Sequence, residues 1–384
     1  MKHAALCLLA LSGALLLRST VRAEDQVTIR GAYYREPSTR VIQPVVEITK
    51  DLPNGFDITA HYLVDAITSA SAAATGATTA DSIFTEIRNE VGLTVGKTWD
   101  RTHATVSYKY SAESDYWSHA WWASLSHTFW GNTATVGAFG GLSLDTVGFR
   151  TRTPSCRSAD GFSCPLDSAF GGLGYTQVLS PVAVAQINVD GAYLNGFLAN
   201  PYRQVAGIGP DVFPDQRLRT AVSVRGAYYF PTIETGLQVQ YRYYRDFYPA
   251  ALPAGVSADP WGLSAHTIEG RIYHRLSRDL EVRFLYRQYF QQPPAFWCDF
   301  PGNPGCTAMS TSVSASYASS DPTIGPVRTE YPEVKLIWDA TSWESIPFFR
   351  WFAAGTFEIS YGRYFQNDAF GDAHVLQTGY SMPY

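Results

Sequence analysis

The stretch that decides the fold is LEVRFLYRQYFQ, residues 280–291. Most of its apolar residues fall on one parity and most of its polar residues on the other. The apolar set is Leu280, Val282, Phe284, Tyr286 and Phe290, and the polar set is Glu281, Arg283, Arg287 and Gln291. Such alternation indicates a β-strand, because successive side chains of a strand point to opposite faces of the sheet. One face of this strand is therefore apolar, and the other is charged.

The same alternation recurs along the chain, for example in residues 56–64 and 236–243. Clusters of turn residues such as DLPNG at 51–55 and SRD at 277–279 separate these segments. We predict sixteen strands, at about 26–34, 39–49, 56–67, 84–97, 103–111, 118–129, 133–149, 170–180, 182–198, 217–230, 235–248, 264–276, 280–292, 328–340, 352–366 and 372–384. Fourteen strands is the alternative, in which residues 26–49 form a plug or an irregular entry.

The connections between the predicted strands alternate in length. Short turns are followed by longer segments rich in Gly, Ser, Ala and Pro, at 68–82, 150–169, 199–216, 249–263 and 293–327. This alternation places all long loops at one end of an up-and-down sheet, as in transmembrane β-barrels. The predicted fold class is therefore all-β: a transmembrane antiparallel up-and-down β-barrel. Residues 24–384 form its single domain.

The composition excludes several classes of protein. The 384-residue chain is 14% aromatic and 16% charged, with a mean hydropathy of -0.11 and a pI of about 5.9. Disordered chains combine low hydrophobicity with high net charge, and nucleic-acid-binding domains carry basic patches, so neither class fits and no nucleic-acid partner is expected. Aromatic pairs such as Tyr116-Trp117 lie at the ends of predicted strands, which favours the interfacial girdles of a barrel in lipid over a soluble β-sandwich.

The N-terminus predicts export. Lys2, the apolar run at 4–17 and the small-residue site Val21-Arg22-Ala23 form a signal peptide, residues 1–23. Its removal takes away three basic residues and no acidic ones, which leaves 26 basic and 34 acidic residues and a net charge of -8. The aromatic last residue, Tyr384, resembles the C-terminal pattern that the barrel assembly machinery recognises. We therefore expect the outer membrane of a Gram-negative bacterium, with membrane lipid and that machinery as partners.

Four cysteines remain after cleavage, in two pairs that are each eight positions apart. We predict two local disulfides in long loops, Cys156–Cys164 and Cys298–Cys306. The alternative, a four-cysteine metal site, needs closer spacing and an intracellular setting. No metal and no cofactor are therefore expected.

Residues 65–71, DAITSAS, are followed by FTEIRNE at 84–90. Together these motifs resemble the marker region of an uncharacterised family of bacterial exported proteins that are predicted to be outer-membrane β-barrels. The resemblance covers residues 63–90 and implies a fold and a location, without an activity.

The same motifs predict a polar site at the outer mouth of the barrel. Its candidate residues are Asp65, Thr68, Ser69, Ser71, Glu86, Arg88 and Glu90. Their carboxylate and hydroxyl oxygens could hold a cation or a polar solute. Alternatively, these side chains only satisfy one another across neighbouring strands.

Charged residues of the C-terminal half predict a polar lumen. The candidate lining residues are Arg219, Arg225, Arg242, Glu269, Arg271, Arg275, Glu281, Arg283, Arg287, Glu333, Lys335 and Glu358. Sixteen strands leave an aqueous channel unless loops fill it, and the loop at 293–327 is the best candidate to fold inward. We therefore predict a channel for small polar or charged solutes whose identity the sequence does not give. A non-conducting barrel that anchors a surface or periplasmic partner is the alternative.

An outer-membrane enzyme is the third hypothesis. The adjacent pairs Ser118-His119 and Ser126-His127 supply a nucleophile and a base in sequence. Neighbours in a strand point to opposite faces, however, so neither pair is brought together by its spacing. The chain also lacks G-x-S-x-G, H-E-x-x-H and phosphate-loop motifs. We therefore expect no enzymatic activity.

Overall fold

The computed structural model describes residues 25–69, 84–148, 163–200, 204–205, 209–249, 259–298, 317–345, 347, 350–367 and 370–384. The strands are β1 (Gln26–Arg35), β2 (Thr39–Leu52), β3 (Phe56–Ser69), β4 (Phe84–Trp99), β5 (Thr102–Ala112), β6 (Tyr116–Phe129), β7 (Ala134–Gly148), β8 (Ser163–Ser180), β9 (Ala183–Gly196), β10 (Gln204–Val205), β11 (Gly209–Pro210), β12 (Gln216–Phe230), β13 (Thr235–Phe247), β14 (Ser264–Arg275), β15 (Leu280–Gln292), β16 (Val327–Asp339), β17 (Thr356–Gln366) and β18 (Ala373–Pro383). Sixteen of them form one closed antiparallel ring, while β10 and β11 pair with each other. In the part of the chain that is described, no helix is long and apolar enough to cross a membrane.

The ring closes between its first and last strands. Gln26 of β1 lies opposite Thr49 of β2 on one side and opposite Pro383 of β18 on the other. Residues 26–49 are therefore wall strands. The prediction of sixteen strands is confirmed, and the alternative with a plug at 26–49 is wrong. Closure gives every strand two hydrogen-bonded neighbours, so the sheet has no open edge.

Short turns with left-handed backbone conformations end many strands on one side of the ring. The φ angles of Asn54, Gly55, Gly131 and Asn132 are 63°, 77°, 64° and 72°. Glycine and asparagine tolerate this conformation best, so these residues stop the strand and reverse the chain. We call this side the turn end, and the opposite side the loop end. Asp25, the first described residue, and Tyr384 lie together at the turn end, where the Tyr384 N–H donates to the Asp25 carbonyl at 2.9 Å.

One predicted loop is shorter than the sequence suggested. The loop placed at 150–169 stops before Ser163, because β8 begins there and pairs with β7 as far as Ser163 opposite Gly148. In residues 163–169, Pro165 and Asp167 alternate with Cys164, Leu166 and Ser168, so the polar and apolar residues are mixed on both parities. The alternation signal is therefore weak there, and only pairing with β7 reveals the strand.

The two faces of the barrel wall differ in chemistry. On β14 and β15, Ile268, Ile272 and Phe284 are 47%, 45% and 48% exposed on the outer face. Similar apolar side chains are exposed on other strands of the ring, including Ile87 on β4 and Val224 on β12. Large apolar side chains repeated around a closed wall are typical of a lipid-facing surface.

Aromatic rings also gather at the turn end. The rings of Phe357 and Tyr380 lie 4.4 Å apart, and those of Trp338 and Trp343 lie 5.1 Å apart. Trp130 and Trp351 are exposed at the same end. Such a girdle is found where a barrel wall meets the membrane interface.

A close approach in the wall gives a test of the packing. A Cβ added at Gly362 on β17 would lie 2.4 Å from Cζ of the buried Tyr331, whose ring stacks on Tyr364 with 4.2 Å between centroids. Gly362→Ala should therefore lower the free energy of unfolding by about 1–3 kcal/mol through overpacking, as measured by urea unfolding of the refolded barrel in lipid. Gly226→Ala on β12 is the control, because nothing lies within 4 Å of its added Cβ. Equal stability of the two variants would contradict this packing.

Candidate functional site in the barrel lumen

The predicted lining residues of the C-terminal half share one face of the wall. On β14 and β15, the parity that turns Ile268 and Phe284 outward turns Glu269 and Arg287 inward, and these two lie opposite each other in register. The same parity rule, carried across the paired strands, places the full predicted set on the inner face. That set is Arg219, Arg225, Arg242, Glu269, Arg271, Arg275, Glu281, Arg283, Arg287, Glu333, Lys335 and Glu358.

Several of these charges form ion pairs along the inner face. Glu269, which is 5% exposed, accepts from Arg287 Nε at 2.7 Å and lies 2.7 Å from the guanidinium of Arg271. Arg283 pairs with Glu333, which also accepts from the Tyr331 hydroxyl at 2.8 Å. Pairing of this kind compensates the cost of withdrawing charges from bulk water.

Three of the predicted arginines make no ion pair with any described residue: Arg219, Arg225 and Arg275. Arg225 instead donates to the amide oxygen of Gln186 on β9. Arg275 ends β14 and is exposed at the turn end. The inner face of this half therefore carries positive charge beyond what its carboxylates neutralise.

The structure brings together part of the predicted mouth site. Asp65 lies opposite Arg88 in register, with 3.0 Å between its Oδ2 and the guanidinium. Glu90 lies 3.2 Å from Lys109 Nζ and 3.4 Å from His61 Nε2. Both ion-paired groups lie on the inner face of β3–β5, where Asp65, Arg88 and Glu90 are buried.

The hydroxyl residues of the predicted site do not join that group. Thr68 has the parity of Tyr62 and Ala66, which places it on the outer face, opposite to Asp65. Ser69 ends β3, and Ser71 lies outside the described residues. Thr68 therefore cannot join the predicted group of oxygen ligands around Asp65. The two residues are three positions apart, and residues an odd number of positions apart in a strand point to opposite faces.

The turn between β5 and β6 adds two carboxylates that the sequence reasoning missed. One carboxylate oxygen from each of Glu86, Glu113 and Asp115 lies within 4.8 Å of the others. The Ser114 N–H donates to Glu86 Oε1 at 2.9 Å, and this bond holds the turn over the first residues of β4. The E-x-D spacing at 113–115 was the available signal, but its proximity to Glu86 depends on the pairing of β4 with β5.

Burial raises the pKa of the Glu113 carboxyl above its usual value. The nearby Arg88 acts in the opposite direction, while Asp115 and Asp65 raise the pKa further. Ionised Glu113 is therefore held at a cost to the folded state near neutral pH. The mouth of the barrel at β3–β6 is therefore acidic.

A second group at the loop end is an aromatic cap. Trp261 is 0% exposed, and its ring centroid lies 5.1 Å from that of Phe296 and 5.7 Å from that of Phe213. These residues come from three different loops, which lie after β11, before β14 and after β15. Their cluster also includes the inward residues Ala221, Tyr244 and Ala265 together with Leu263 and Ile324. Described residues from the loop predicted at 293–327 therefore do pack against the inner wall.

A buried ion pair supports this cap. The guanidinium of Arg217 lies 4.2 Å from the Trp261 ring centroid, and its Nε donates to Asp246 Oδ2 at 2.9 Å. The Tyr244 hydroxyl donates to the other oxygen of Asp246. The Trp261 indole N–H donates to the carbonyl of Gln216 at 2.7 Å. Arg217 shares the parity of Arg219 and Arg225, so the alternation of β12 was sufficient to find it.

A cavity of about 390 Å³ opens on the opposite side of the lumen from β8 and β9. Its polar lining consists of Arg30, Gln43, Lys335, Glu358, Gln377 and Thr378. Lys335 and Glu358 pair with each other there. This space is bounded by strands β1, β2 and β16–β18, away from the aromatic cap.

The cysteine predictions fall partly outside the described residues. Cys164 is disulfide-bonded, and its predicted partner, Cys156, is not among the described residues. Cys298 is buried next to the cap, and its predicted partner, Cys306, is also outside them. Both pairings therefore stay predictions.

The serine–histidine pairs considered for catalysis are separated by the wall. His119 and His127 face outward, where their Nδ1 atoms lie 2.9 Å from the Tyr108 hydroxyl and 2.7 Å from Thr102 Oγ1. Ser118 faces the lumen and lies 3.2 Å from Ser143 Oγ. Neither pair therefore brings a nucleophile and a base together.

Comparison with known sequences finds a match over less than half of the chain. Residues 167–342 match a family described as "Protein of unknown function (DUF3570)". The match runs from β8 to just beyond β16 and does not include the 65–90 region that carries the marker motifs. No curated protein matches the chain.

Comparison with solved structures concerns the fold. "CdiB from Acinetobacter baumannii" is similar over 93% of this chain and 60% of its own, with a TM-score of 0.51 and 9% identity. This chain therefore spans about three fifths of that protein's length. "Bacterial polysaccharide outer membrane secretin" covers 95% and 99% of the two chains, with a TM-score of 0.49 and 9% identity. Pseudomonas aeruginosa OpdQ covers 94% and 98%, with a TM-score of 0.45 and 8% identity.

The cap provides a test of how the loops are held. Trp261→Ala should lower the local stability of the cap by about 3–5 kcal/mol, as is typical when a buried tryptophan is truncated. Amide hydrogen exchange in residues 209–217 and 293–298 should then accelerate, while the barrel strands keep their protection. Trp351→Ala is the control, because Trp351 is 75% exposed at the turn end. Unchanged exchange in the Trp261 variant would contradict a packed cap.

The acidic turn provides a test with pH. A raised folded-state pKa destabilises the folded protein where Glu113 is ionised, so Glu113→Gln should raise the urea midpoint at pH 7.5. The gain should shrink as pH falls from the raised pKa toward the ordinary glutamate value of about 4.3, because wild-type Glu113 then takes up a proton. Glu344→Gln, at an exposed position near the turn end, is the control. A gain that is independent of pH would contradict the assignment.

Proposed function

We propose that this protein is an outer-membrane channel for small polar or charged solutes. The observation that carries the proposal is the contrast between the two faces of one closed wall. Exposed Ile, Val, Phe and Tyr side chains cover the outside, and arginines, carboxylates and hydroxyl groups cover the inside. A soluble β-sandwich has its apolar face inside, whereas a barrel in lipid reverses this arrangement.

The charged inner face supports a hydrated lumen. Several inward side chains are partly accessible, such as Arg271 at 25% and Arg287 at 35%. Partly accessible charged side chains are stable inside a barrel when water reaches them, and a ring of sixteen strands is wide enough for an aqueous channel. The cavity of about 390 Å³ beside Lys335 and Glu358 offers space of this kind next to the wall.

The loop-end cap sets where solute would pass. The Trp261 cluster rests on Ala221, Tyr244 and Ala265 and therefore narrows the side of the lumen formed by β12–β14. The described cavity lies on the other side, along β16–β18, β1 and β2. We infer a passage displaced toward that side. We also propose that the chain is exported, that residues 1–23 are removed, and that the mature chain inserts into the outer membrane of a Gram-negative cell.

The proposal predicts conductance. Purified protein in planar lipid bilayers should give stepwise, ohmic current increments in KCl, because water and ions fill the charged lumen. The same preparation, unfolded by heat before addition, is the control and should give none. Removal of the loop at 293–327 should increase the size of each step, since part of the cap leaves the lumen. Absence of current from both the full chain and the loop-deleted chain would contradict a channel and would favour an anchoring role.

A further inference from the structure

Two groups of strands present opposite charge to the lumen. The inner face of β2–β5 carries six carboxylates, Glu47, Asp51, Asp57, Asp65, Glu86 and Glu90, against Arg88 and Lys109, for a net charge of -4 with histidines neutral. We call it the acidic wall. The inner face of β12–β15 carries eight arginines against Asp246, Glu269 and Glu281, for a net charge of +5. We call it the basic wall.

The order of strands around the ring places these walls face to face. In a closed ring of sixteen strands, two strands eight places apart lie on opposite sides. In the observed order, β2 therefore faces β12, β3 faces β13, β4 faces β14 and β5 faces β15. The four strands of the acidic wall therefore lie opposite the four strands of the basic wall.

Two arginines of the basic wall pair with carboxylates on adjacent strands, Arg242 with Asp190 on β9 and Arg283 with Glu333 on β16, and these two partners reduce its net charge to +3. Local ion pairs do not cancel the remaining difference. Among the described residues, neither Glu47 nor Asp57 makes an ion pair, and on the other wall neither Arg225 nor Arg275 does. Asp57 instead packs against the backbone at Gly96, where an added Cβ would lie 2.3 Å from its Oδ1. These four charges therefore have no salt bridge among the described residues of their own wall.

Glu47 and Arg225 also lie at matching depth. Both β2 and β12 run toward the turn end, where they end at Leu52 and Phe230. Each of the two charged residues lies five positions before the end of its strand. Since the strands have the same direction and lie opposite each other, Glu47 and Arg225 face one another across the barrel near the turn end.

The sectors between the walls contribute little charge of their own. On one side, the inner face of β6–β8 is built largely from serine, glycine and alanine, such as Ser118, Gly141 and Ser168, with Asp145 as its carboxylate. On the other side, the cavity presents the amides of Gln43 and Gln377, the guanidinium of Arg30, and Lys335 paired with Glu358.

We propose that the lumen selects dipolar solutes, meaning small zwitterions that carry a separated ammonium and carboxylate group. A solute of this class can turn its ammonium toward the acidic wall and its carboxylate toward the basic wall, so that both interactions are favourable. A simple anion or cation gains at one wall and loses at the other. The low-dielectric barrel wall focuses this transverse field. The inference rests on the proposed channel function and adds its solute class.

The test compares uptake of 6-aminohexanoate, a zwitterion with separated charges, with that of neutral erythritol into proteoliposomes that contain the full mature chain. At 0.01 M KCl the uptake ratio of zwitterion to neutral solute should be on the order of threefold higher for wild type than for the E47Q/R225Q double variant. In 1 M KCl, where the Debye length falls to about 3 Å, the two ratios should converge. Each single variant, E47Q or R225Q, should lower the ratio, and their reversal potentials in a KCl gradient should shift in opposite directions.

The conservative variants Glu47→Asp and Arg225→Lys are matched controls that keep the charge and should keep most of the ratio. Erythritol uptake and heat-modifiable migration on gels report that each variant forms a barrel. A wild-type ratio that does not change between low and high salt overturns the inference, even if every variant fails to fold. Uptake of neither solute by wild type contradicts the channel itself, whereas uptake of erythritol with an unselective, salt-independent ratio overturns only the solute class.

Discussion

The structure depends on the need of every strand in a membrane to find hydrogen-bond partners on both sides. In a hydrocarbon layer no water satisfies the backbone, so a sheet must close on itself. The pairing of β1 with β18 meets this requirement. Closure then fixes the rest: sixteen strands define an inside wide enough for charged side chains, and parity assigns each residue to lipid or lumen.

Closure also creates relations that do not exist along the chain. Nine strands, β3 to β11, lie between Glu47 and Arg225 along the chain, yet the ring sets these two residues opposite each other. The segregation of charge between β2–β5 and β12–β15 is therefore a property of the ring order combined with local composition. The aromatic cap adds asymmetry at the loop end, because Trp261 and Phe296 pack against the basic wall. The cavity next to Lys335 lies on a different side of the lumen.

The sequence was informative wherever one strand contains the whole signal. Alternation in 280–291 predicted the strand and both of its faces, and the parity of Arg283 and Arg287 follows from the same few residues. It failed where contacts join distant segments. The start of β8 at Ser163 depends on pairing with β7, the meeting of Glu113 with Glu86 depends on the pairing of β4 and β5, and the cap needs three loops at once. Thr68 differs for another reason: its hydroxyl group suggested a ligand, whereas its parity places it on the outer face.

The central claim is that one parity of each strand faces water and the other faces lipid. The most direct measurement places single cysteines along β15, in a chain otherwise free of cysteine, and records their reaction with a membrane-impermeant maleimide in proteoliposomes. Cysteines at 281, 283 and 287 should react, whereas those at 284 and 286 should be protected by lipid. Protection of both parities would contradict a water-filled lumen. Reaction at 284 and 286 with protection at 283 and 287 would contradict the assignment of these residues to lipid and lumen.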